Sequence, residues 1–460
     1  MDAIKTIIES RKATAAVIGL GYVGLPLAVE MLAAGFNVIG IDLDRNKIAA
    51  LKQGKSYILD VDDQLISSAV SSGRFYPTSD FGNLAKADTV SICVPTPLSK
   101  SRDPDISFIL AATEEIRKYL HKDQLIVLES TTYPGTTEEL ILPELGSSGL
   151  KVGSDFYLAF SPERIDPGNK AFTTRNTPKI VGGVTPECTE IAHLFYSQFI
   201  DKVFPVTSTK CAEMVKLLEN TFRSVNIGMV NEMAQMCDLL GVDVYEVIDA
   251  AATKPFGFIP FYPGPGLGGH CIPIDPHYLA WKLKALNFQA RFIELASEIN
   301  GMMPAVVTSL VADGLNRSAK SIRNSKILVL GVAYKKNVSD CRESPALDVM
   351  RMLSEKGADL IYNDPYVPTL RLGKTIIKST ELNTDSIATQ DCVIILTDHS
   401  DYDFKNIAAT AQLIIDTRNA TKDLHMFTNH ILKLGAGTNA RAVSHHEDEH
   451  EGVSLNLTAH

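Results

Sequence analysis

The sequence predicts an α/β protein built from two Rossmann-like, doubly wound domains joined by a long central helix. Three observations carry that expectation. Short apolar runs alternate with helical patterns near the N-terminus and again after Arg323, the arrangement of parallel sheets wound by helices. The first apolar run ends in a glycine-rich turn, GLGYVG, and the second ends in an acid. Between the two alternating regions, KCAEMVKLLENTFRSVNIGMVNEMAQMCDLLGVDVYEVIDAAA contains no proline and repeats methionine, leucine and valine at helical spacing.

Taken in order, AAVIG (Ala15–Gly19) reads as the first strand, followed by the turn and an apolar helix to Ala34. FNVIGID (Phe36–Asp42) is the second strand, and further strand-like runs lie at Thr89–Val94, Leu125–Leu128 and Tyr157–Phe160. The segment from Ala13 to Ile41 carries only Glu30 as a charge and is long enough to suggest a membrane span. Its five glycines and Pro26 suit strand–turn–helix–strand instead. From about Thr209 to Ala252 the pattern is a long helix and a shorter one, with apolar residues on more than one face, as for a helix buried between domains or subunits. After Arg323 the strand candidates are KILVLG (Lys326–Gly331), ADLIYNDP (Ala358–Pro365), CVIILTDH (Cys392–His399) and LIIDTRN (Leu413–Asn419). The expected divisions are a dinucleotide-binding domain over residues 1–208, a central helical domain over 209–318, a second Rossmann-like domain over 319–436, and a disordered tail over 437–460 that includes HHEDEHE.

Composition narrows the function. A chain of 460 residues calls for two or three domains, and 45% hydrophobic with 21% charged residues is a soluble globular balance. A net charge of −10 argues against a nucleic-acid partner. Seven cysteines without a C-x-x-C pair suit a reduced compartment. The N-terminus has a basic end but no apolar core before a cleavage site, so a cytoplasmic protein with no membrane partner is expected.

The chemistry starts at Gly19, Gly21 and Gly24. In a strand–turn–helix these allow a tight turn, close approach of a pyrophosphate and close packing of helix on strand. Asp42, at the end of the second strand, is placed to bind ribose hydroxyls and to repel a 2′-phosphate, so NAD is expected rather than NADP; Arg45 is the one dissenting neighbour. The equivalent second turn, GVAYKK, has lost the glycines and gained Lys335 and Lys336, and Arg342 and Arg418 follow near strand ends. A second anionic ligand, such as another nucleotide, fits these cations; ordinary surface charge is the alternative. Lys216 and Asn220, four apart on the long helix, share a face. Glu163 in SPERIDPGN is a possible general base or water-positioner, and the ESTTYPG loop that begins at Glu129 offers hydroxyls, though either loop can equally satisfy its own backbone.

The most unusual stretch is PGPGLGGHCIPIDP, four glycines and four prolines around Cys271 and Asp275. Backbone this bare approaches a ligand closely, and a thiol set in it reads as a nucleophile rather than as packing. His270, Cys271, Asp275 and His277 also have metal-ligand spacing, but no second pair accompanies them, and no metal is expected.

Together these motifs resemble the nucleotide-diphosphate-sugar 6-dehydrogenases, the family that includes the UDP-glucose and GDP-mannose enzymes. The similarity runs through GLGYVGLP, VPTP, ESTTYPGT, SPERIDPG, EMVKLLEN, PGPGLGGHCIPIDP, GVAYKKNVSDCRESP and IIDTRN, in that order. The resemblance implies Cys271 as nucleophile, with Lys216, Asn220 and Asp275 around the oxyanion and water. It implies Glu163 as acid–base, with Thr131 at the same centre. NAD would be held by Gly19, Gly21, Tyr22, Val23, Gly24, Asp42, Lys47, Val94, Thr96, Thr131 and Arg342. The UDP-sugar would meet Glu163, Arg164, Lys216, Asn220, Tyr262, Gly264, Gly266, Gly268, Tyr334, Lys335 and Arg418. It also implies a homodimer, or a higher homo-oligomer, formed through the long helix.

The UDP-glucose branch carries a Pro-Glu-Phe-Leu-x-Glu-Gly loop where this chain has Pro162-Glu-Arg-Ile-Asp-Pro-Gly168. The departure resembles enzymes that oxidise UDP-N-acetylhexosamines, with UDP-N-acetylglucosamine the nearest fit. Oxidising a primary alcohol to a carboxylate takes two hydride transfers, and a thiol that captures the aldehyde explains why Cys271 sits in its loop. Two other readings compete: a single-hydride hydroxyacid dehydrogenase, which would not need Cys271, and a non-catalytic NAD-binding sensor.

Overall fold

Apolar residues fall on alternate sides of a strand, so a strand buried on both faces reads as an unbroken apolar run. The runs near the N-terminus behave this way. The computed structural model describes residues 1–58, 61–99, 103–166, 169, 171–269 and 272–437. Among them β1 (Thr14–Ile18), β2 (Asn37–Ile41), β3 (Phe75–Thr78), β4 (Thr89–Ile92), β5 (Gln124–Leu128), β6 (Phe156–Phe160), β7 (Lys179–Gly183) and β8 (Val203–Val206) form one sheet. Its order is β3-β2-β1-β4-β5-β6-β7-β8. The first six strands are parallel, β7 is antiparallel to β6, and β8 is parallel to β7. Ala15 and Val17 of β1 enter one core, with Met31, Ile191 and Phe195, while Ala16 and Ile18 enter the other, with Ile109, Ile116 and Ile141. The order reverses between β1 and β4, and an open parallel sheet binds its ligand in the crevice at such a reversal.

The expected doubly wound α/β class is therefore the observed one, and the five strands expected in this region are present. Three were not foreseen, for physical reasons. β3 and β8 contain Pro77 and Pro205 and are the two edges of the sheet, where a missing N–H is tolerated. β7 ends in Gly182 and Gly183, which read as a turn. A Cβ at either would come within 2.2 Å of the Ser208 carbonyl oxygen or 2.3 Å of the Thr189 nitrogen, so the glycines allow neighbouring backbone to pack on the strand.

The second alternating region forms β9 (Lys326–Leu330), β10 (Asp359–Asn363), a hairpin of β11 (Thr369–Leu372) and β12 (Thr375–Lys378), β13 (Cys392–Ile395), β14 (Ile414–Asp416) and β15 (Ile431–Lys433). Five of them make an all-parallel sheet, β10-β9-β13-β14-β15, which reverses between β9 and β13. The four strands anticipated here are observed; the hairpin and the three-residue β15 are additions.

The expected long and short helices are Thr209–Leu240 and Val244–Ala252. By packing, the chain divides into two units: Met1–Thr221 with Ile274–Ala290, and Phe222–Pro273 with the residues from Arg291 onward. The long helix thus contributes its first turns to one unit and the rest to the other. Its second part leaves Met229, Met233, Met236, Leu239 and Leu240 exposed. Helix Arg291–Asn316 is long and apolar enough to cross a membrane by length and composition. It contains Pro304 and buries Ile299, Met303, Val307, Val311 and Leu315 within the second unit.

Candidate active site

The glycine turn follows β1 and opens helix Gly24–Ala33. Gly19 has φ +91°, and a Cβ there would lie 2.4 Å from the Cys93 carbonyl oxygen. A Cβ on Gly24 would lie 1.9 Å from the Gly19 carbonyl oxygen, so helix and strand meet only because that side chain is absent. Around Gly21 nothing approaches within 4 Å. The first and third glycines are thus packing requirements, and the second leaves bare backbone facing open space at a helix N-terminus. A dinucleotide pyrophosphate fits that cradle. Tyr22 is exposed and Val23 half-buried at its edge.

Asp42 follows β2. Its Oδ2 accepts the Leu20 N–H at 2.9 Å and Lys47 Nζ at 3.2 Å, while its Oδ1 accepts the Asp44 N–H at 2.9 Å. Lys47, expected beside the cofactor, therefore pairs with the acid that follows β2. Arg45 begins the helix that Asp44 caps, and is exposed. A carboxylate oriented by three donors repels a 2′-phosphate, with Lys47 offsetting part of its charge. We expect kcat/KM for NAD to exceed that for NADP by at least about tenfold, a difference of about 1.4 kcal/mol. Equal values for the two would show that Lys47 and Arg45, rather than Asp42, govern the choice.

Beyond β4, the segment with Val94 and Thr96 is held from two sides. Ser130 Oγ donates to the Val94 carbonyl at 2.8 Å, and Tyr278 Oη donates to that of Thr96 at 2.8 Å. Thr131 is half-buried in the loop after β5. That loop rests on Glu213, in the second turn of the long helix. The Glu213 carboxylate accepts the Gly135 N–H at 2.6 Å, the Thr137 N–H at 3.0 Å and the Thr137 hydroxyl at 2.7 Å. Burial pushes its carboxyl up to about 7 against the pull of those donors.

One and two turns further along, Lys216 and Asn220 are both buried. Lys216 Nζ donates to the main-chain oxygen of Glu163 at 2.6 Å, and Asn220 Nδ2 donates to Asp275 Oδ2 at 2.5 Å. Asp275 is 3% exposed at the start of helix Asp275–Lys284. Burial pushes its carboxyl up to about 6, opposed by the Lys216 charge and the Asn220 hydrogen bond. The half-buried Glu163 accepts the Arg164 N–H at 2.6 Å and the Ile165 N–H on one carboxylate oxygen, so its carboxylate is fixed by its own loop. Lys216, Asn220, Asp275 and Glu163 are thus one connected group within the first unit.

Arg164, expected at the UDP-sugar, has partners within the chain. Its Nη2 and Nε reach the two carboxylate oxygens of Glu219 at 2.5 and 3.3 Å, and its Nη1 donates to the Pro178 carbonyl at 2.6 Å. It clamps the Glu163 loop to the long helix. Sequence reasoning passed over Glu213 and Glu219, although Glu213, Lys216 and Asn220 share one face at helical spacing. It also missed the buried pair beneath this loop, Lys179 Nζ to Glu129 Oε2 at 2.7 Å, with Tyr196 donating to the same carboxylate.

In the second unit, the glycines of the loop after Tyr262 pack against Arg418, Pro345 and Tyr334. A Cβ on Gly264 would lie 2.6 Å from Arg418 Nη1; one on Gly268 would lie 2.8 Å from Tyr334 Cβ. Gly266 has φ +135° and faces Pro345. Arg418 Nε donates to the Leu396 carbonyl at 2.9 Å, while Asp416 accepts the N–H groups of Arg418, Ala420 and Thr421. Tyr334 and Lys335 lie half-buried in the turn after β9. Tyr262 stacks on Tyr245 and donates to Asp249 at 2.7 Å. Arg342 belongs to this unit, where its guanidinium pairs with Asp340 at 2.6 Å. The expected nucleophile Cys271, with His270, and also Pro167, Gly168 and the tail from residue 438, lie outside the described residues.

Three family models match the chain. The UDP-glucose/GDP-mannose dehydrogenase family's NAD binding domain covers residues 13–200, its central domain 210–302 and its UDP binding domain 328–423. UDP-N-acetyl-D-glucosamine 6-dehydrogenase of Pseudomonas aeruginosa is 35% identical over 396 residues, 86% of this chain and 92% of that protein. NDP-N-acetyl-D-galactosaminuronic acid dehydrogenase of Ralstonia nicotianae is 34% identical over 417 residues, 88% of this chain and 95% of that one. Among solved structures, UDP-D-ManNAc dehydrogenase of Pyrococcus horikoshii superimposes with a TM-score of 0.84 at 33% identity, covering 92% of this chain and 99% of that one. With a dinucleotide cradle at the switch point of one sheet and a UDP-binding domain built on the other, the chain belongs to the UDP-glucose/GDP-mannose dehydrogenase family and is an NAD-dependent UDP-sugar dehydrogenase.

Proposed function

We propose that this protein oxidises C6 of UDP-N-acetylglucosamine to the carboxylate, as a cytoplasmic homodimer closed over the exposed apolar strip of the long helix, to supply an activated uronic acid for a surface polysaccharide. The observation that carries the sugar assignment is the Glu163–Arg164 loop. An arginine stands where the glucose-type loop has phenylalanine, and its pairing with Glu219 and Pro178 fixes the backbone beside Glu163. The name of the Pseudomonas aeruginosa relative supports the same reading. The likeness to the Pyrococcus horikoshii structure favours a second one, the C2 epimer UDP-N-acetylmannosamine.

Bound NAD⁺ supplies the hydride acceptor for each of two oxidations. The protein's own groups do the rest. Glu163, its carboxylate fixed by two backbone N–H groups, serves as the acid–base, with Thr131 at the same centre. Lys216, buried and cationic, stabilises the developing alkoxide. The Cys271 thiolate adds to the C6 aldehyde and forms a C–S bond. Loss of the second hydride leaves a thioester, and water, placed by Asn220 and Asp275, breaks the C–S bond and restores the thiolate. The balance is one alcohol, two NAD⁺ and one water giving one carboxylate, two NADH and three protons.

An acetamido group offers a carbonyl acceptor, an amide donor and a methyl where glucose has one hydroxyl. A pocket shaped for it leaves polar groups unpaired with UDP-glucose, at about 1–3 kcal/mol each. The expected result is kcat/KM for UDP-N-acetylglucosamine at least about tenfold above UDP-glucose and GDP-mannose. The assay should use saturating NAD⁺ and protein whose light-scattering mass is that of a dimer. A preference for UDP-glucose or GDP-mannose overturns the sugar assignment, a preference for the mannosamine epimer selects the second reading, and a monomeric mass for active protein refutes the dimer.

A further inference from the structure

The acids that end the second strand of each sheet, Asp42 and Asp364, hold equivalent places and have different settings. Asp42 accepts the Leu20 N–H of the turn after β1 and is otherwise met by Lys47 and its own loop. Asp364 accepts the Val332 and Ala333 N–H groups of the turn after β9, at 2.7 and 3.1 Å, through Oδ2. The same oxygen lies 3.1 Å from Nε2 of His399, and both side chains are fully buried. An acid that reads ribose in the first unit is enclosed in the second and cannot reach a ligand.

His399 completes a clasp on that turn. Its Nδ1 accepts the Asn337 N–H at 3.0 Å. A backbone N–H can only donate, so the ring proton sits on Nε2 and is donated to Asp364. The remaining fastenings come from the same strand end. Thr397 Oγ1 donates to the Ala333 carbonyl at 2.6 Å, and Asn337 exchanges side-chain bonds with the Ser400 N–H and hydroxyl at 2.9 Å each. Asn337 has φ +60°, a conformation these bonds hold in place. Tyr334 and Lys335 lie between the two fastened points, Ala333 and Asn337.

We infer that His399, oriented by Asp364, is a positioning residue for the nucleotide-sugar site: it fixes the far end of the turn that presents Tyr334 and Lys335 to the UDP moiety. This rests on the reading that those two residues hold the nucleotide. It gives a function to the Thr-Asp-His that ends β13, which no part of the oxidation chemistry uses. It also explains why a bulky polar group is buried at a sheet switch point, where apolar packing would otherwise serve.

The two ring bonds separate by substitution. His399→Asn keeps an acceptor where Nδ1 lies and loses the donor to Asp364; His399→Gln keeps a donor near Nε2 and loses the acceptor for Asn337. Titration calorimetry with UDP, and separately with NAD⁺, reads the consequence on the full chain. His399→Gln is expected to weaken UDP binding and raise the UDP-sugar KM at least about tenfold, with the NAD⁺ Kd and kcat within about twofold, whereas His399→Asn stays within about threefold of native for UDP. Lys335→Gln tests the underlying reading and should weaken UDP binding at least about tenfold. If Lys335→Gln binds UDP like the native chain, the site reading fails and this inference with it. If Lys335→Gln is weak while His399→Gln is native-like, or both His399 variants lose UDP and NAD⁺ equally, the inference alone is overturned. Should His399→Gln not fold, Asn337→Gly keeps the positive φ and removes the side-chain bonds to Ser400 at the same end of the turn, and native UDP affinity in that variant overturns the inference too.

Discussion

Asp275→Asn is expected to lower kcat by about 10²–10³, as for loss of one electrostatic or acid–base group, and to make the folded chain more stable above pH 6. Burial pushes the Asp275 carboxyl from 3.8 up to about 6, while Lys216 and Asn220 pull the other way. A carboxyl raised in the folded chain favours the protonated form there. Its contribution to stability is therefore complete below its unfolded value, 3.8, and is lost as pH rises through about 6. At pH 8 the native chain carries the full cost of the buried charge, about 3 kcal/mol at about 1.4 per unit. Asparagine has nothing to ionise and still offers Asn220 an oxygen, though Lys216 loses its counter-charge. A net gain of about 1–2 kcal/mol at pH 8 is the expected balance, shrinking towards pH 4. Melting curves of both proteins at pH 5 and pH 8 measure it, and the acid limb of the native kcat profile near pH 6 should vanish in the variant. A variant less stable than native at pH 8, or a kcat within threefold, would contradict this account of the site.

The same residue shows what was legible in the sequence. Lys216 and Asn220 were singled out by their helical spacing, Asp275 by its glycine–proline loop and the family resemblance, and Gly19 and Gly24 by the turn they occupy, because each lies in a local pattern that a linear sequence records. Their partners are non-local. Glu213 holds a loop 76 residues upstream, and Glu219 receives an arginine 55 residues away, so nothing near either residue announces it. Arg164 was placed at the UDP-sugar by the family resemblance; only the fold supplies its acceptors within the chain, Glu219 and Pro178. Proline misled in the other direction, hiding β3 and β8, because a sequence does not say which strand will be an edge. The equivalence of Asp364 to Asp42 was not read from the sequence, and their different settings depend on His399, which β13 brings beside β9 only once the sheet has formed.

Cys271→Ser is expected to abolish net carboxylate formation, by at least about 10³ in rate, while leaving NAD⁺ binding intact. The argument starts from the chain around it. Gly264, Gly266 and Gly268 sit where a Cβ would strike Arg418, Pro345 or Tyr334, so the loop that leads to Cys271 is bare because its backbone is closely met, not because it is loose. Four residues on, Asp275 ties to Asn220 on the long helix. Thiolate is both the better nucleophile towards an aldehyde and the better leaving group from an acyl intermediate. Serine keeps the size of the side chain and loses both properties. The first oxidation does not need the thiol; the second does. Native enzyme should therefore form two NADH per sugar, and the serine variant at most one, with no uronic acid detectable by mass spectrometry. The glycine cradle for NAD⁺ is at Gly19–Gly24, so an unchanged NAD⁺ Kd separates loss of chemistry from loss of fold. Two NADH per sugar from the variant would remove Cys271 from the mechanism. One NADH per sugar from the native chain would instead identify a single-hydride dehydrogenase, in which this loop only binds.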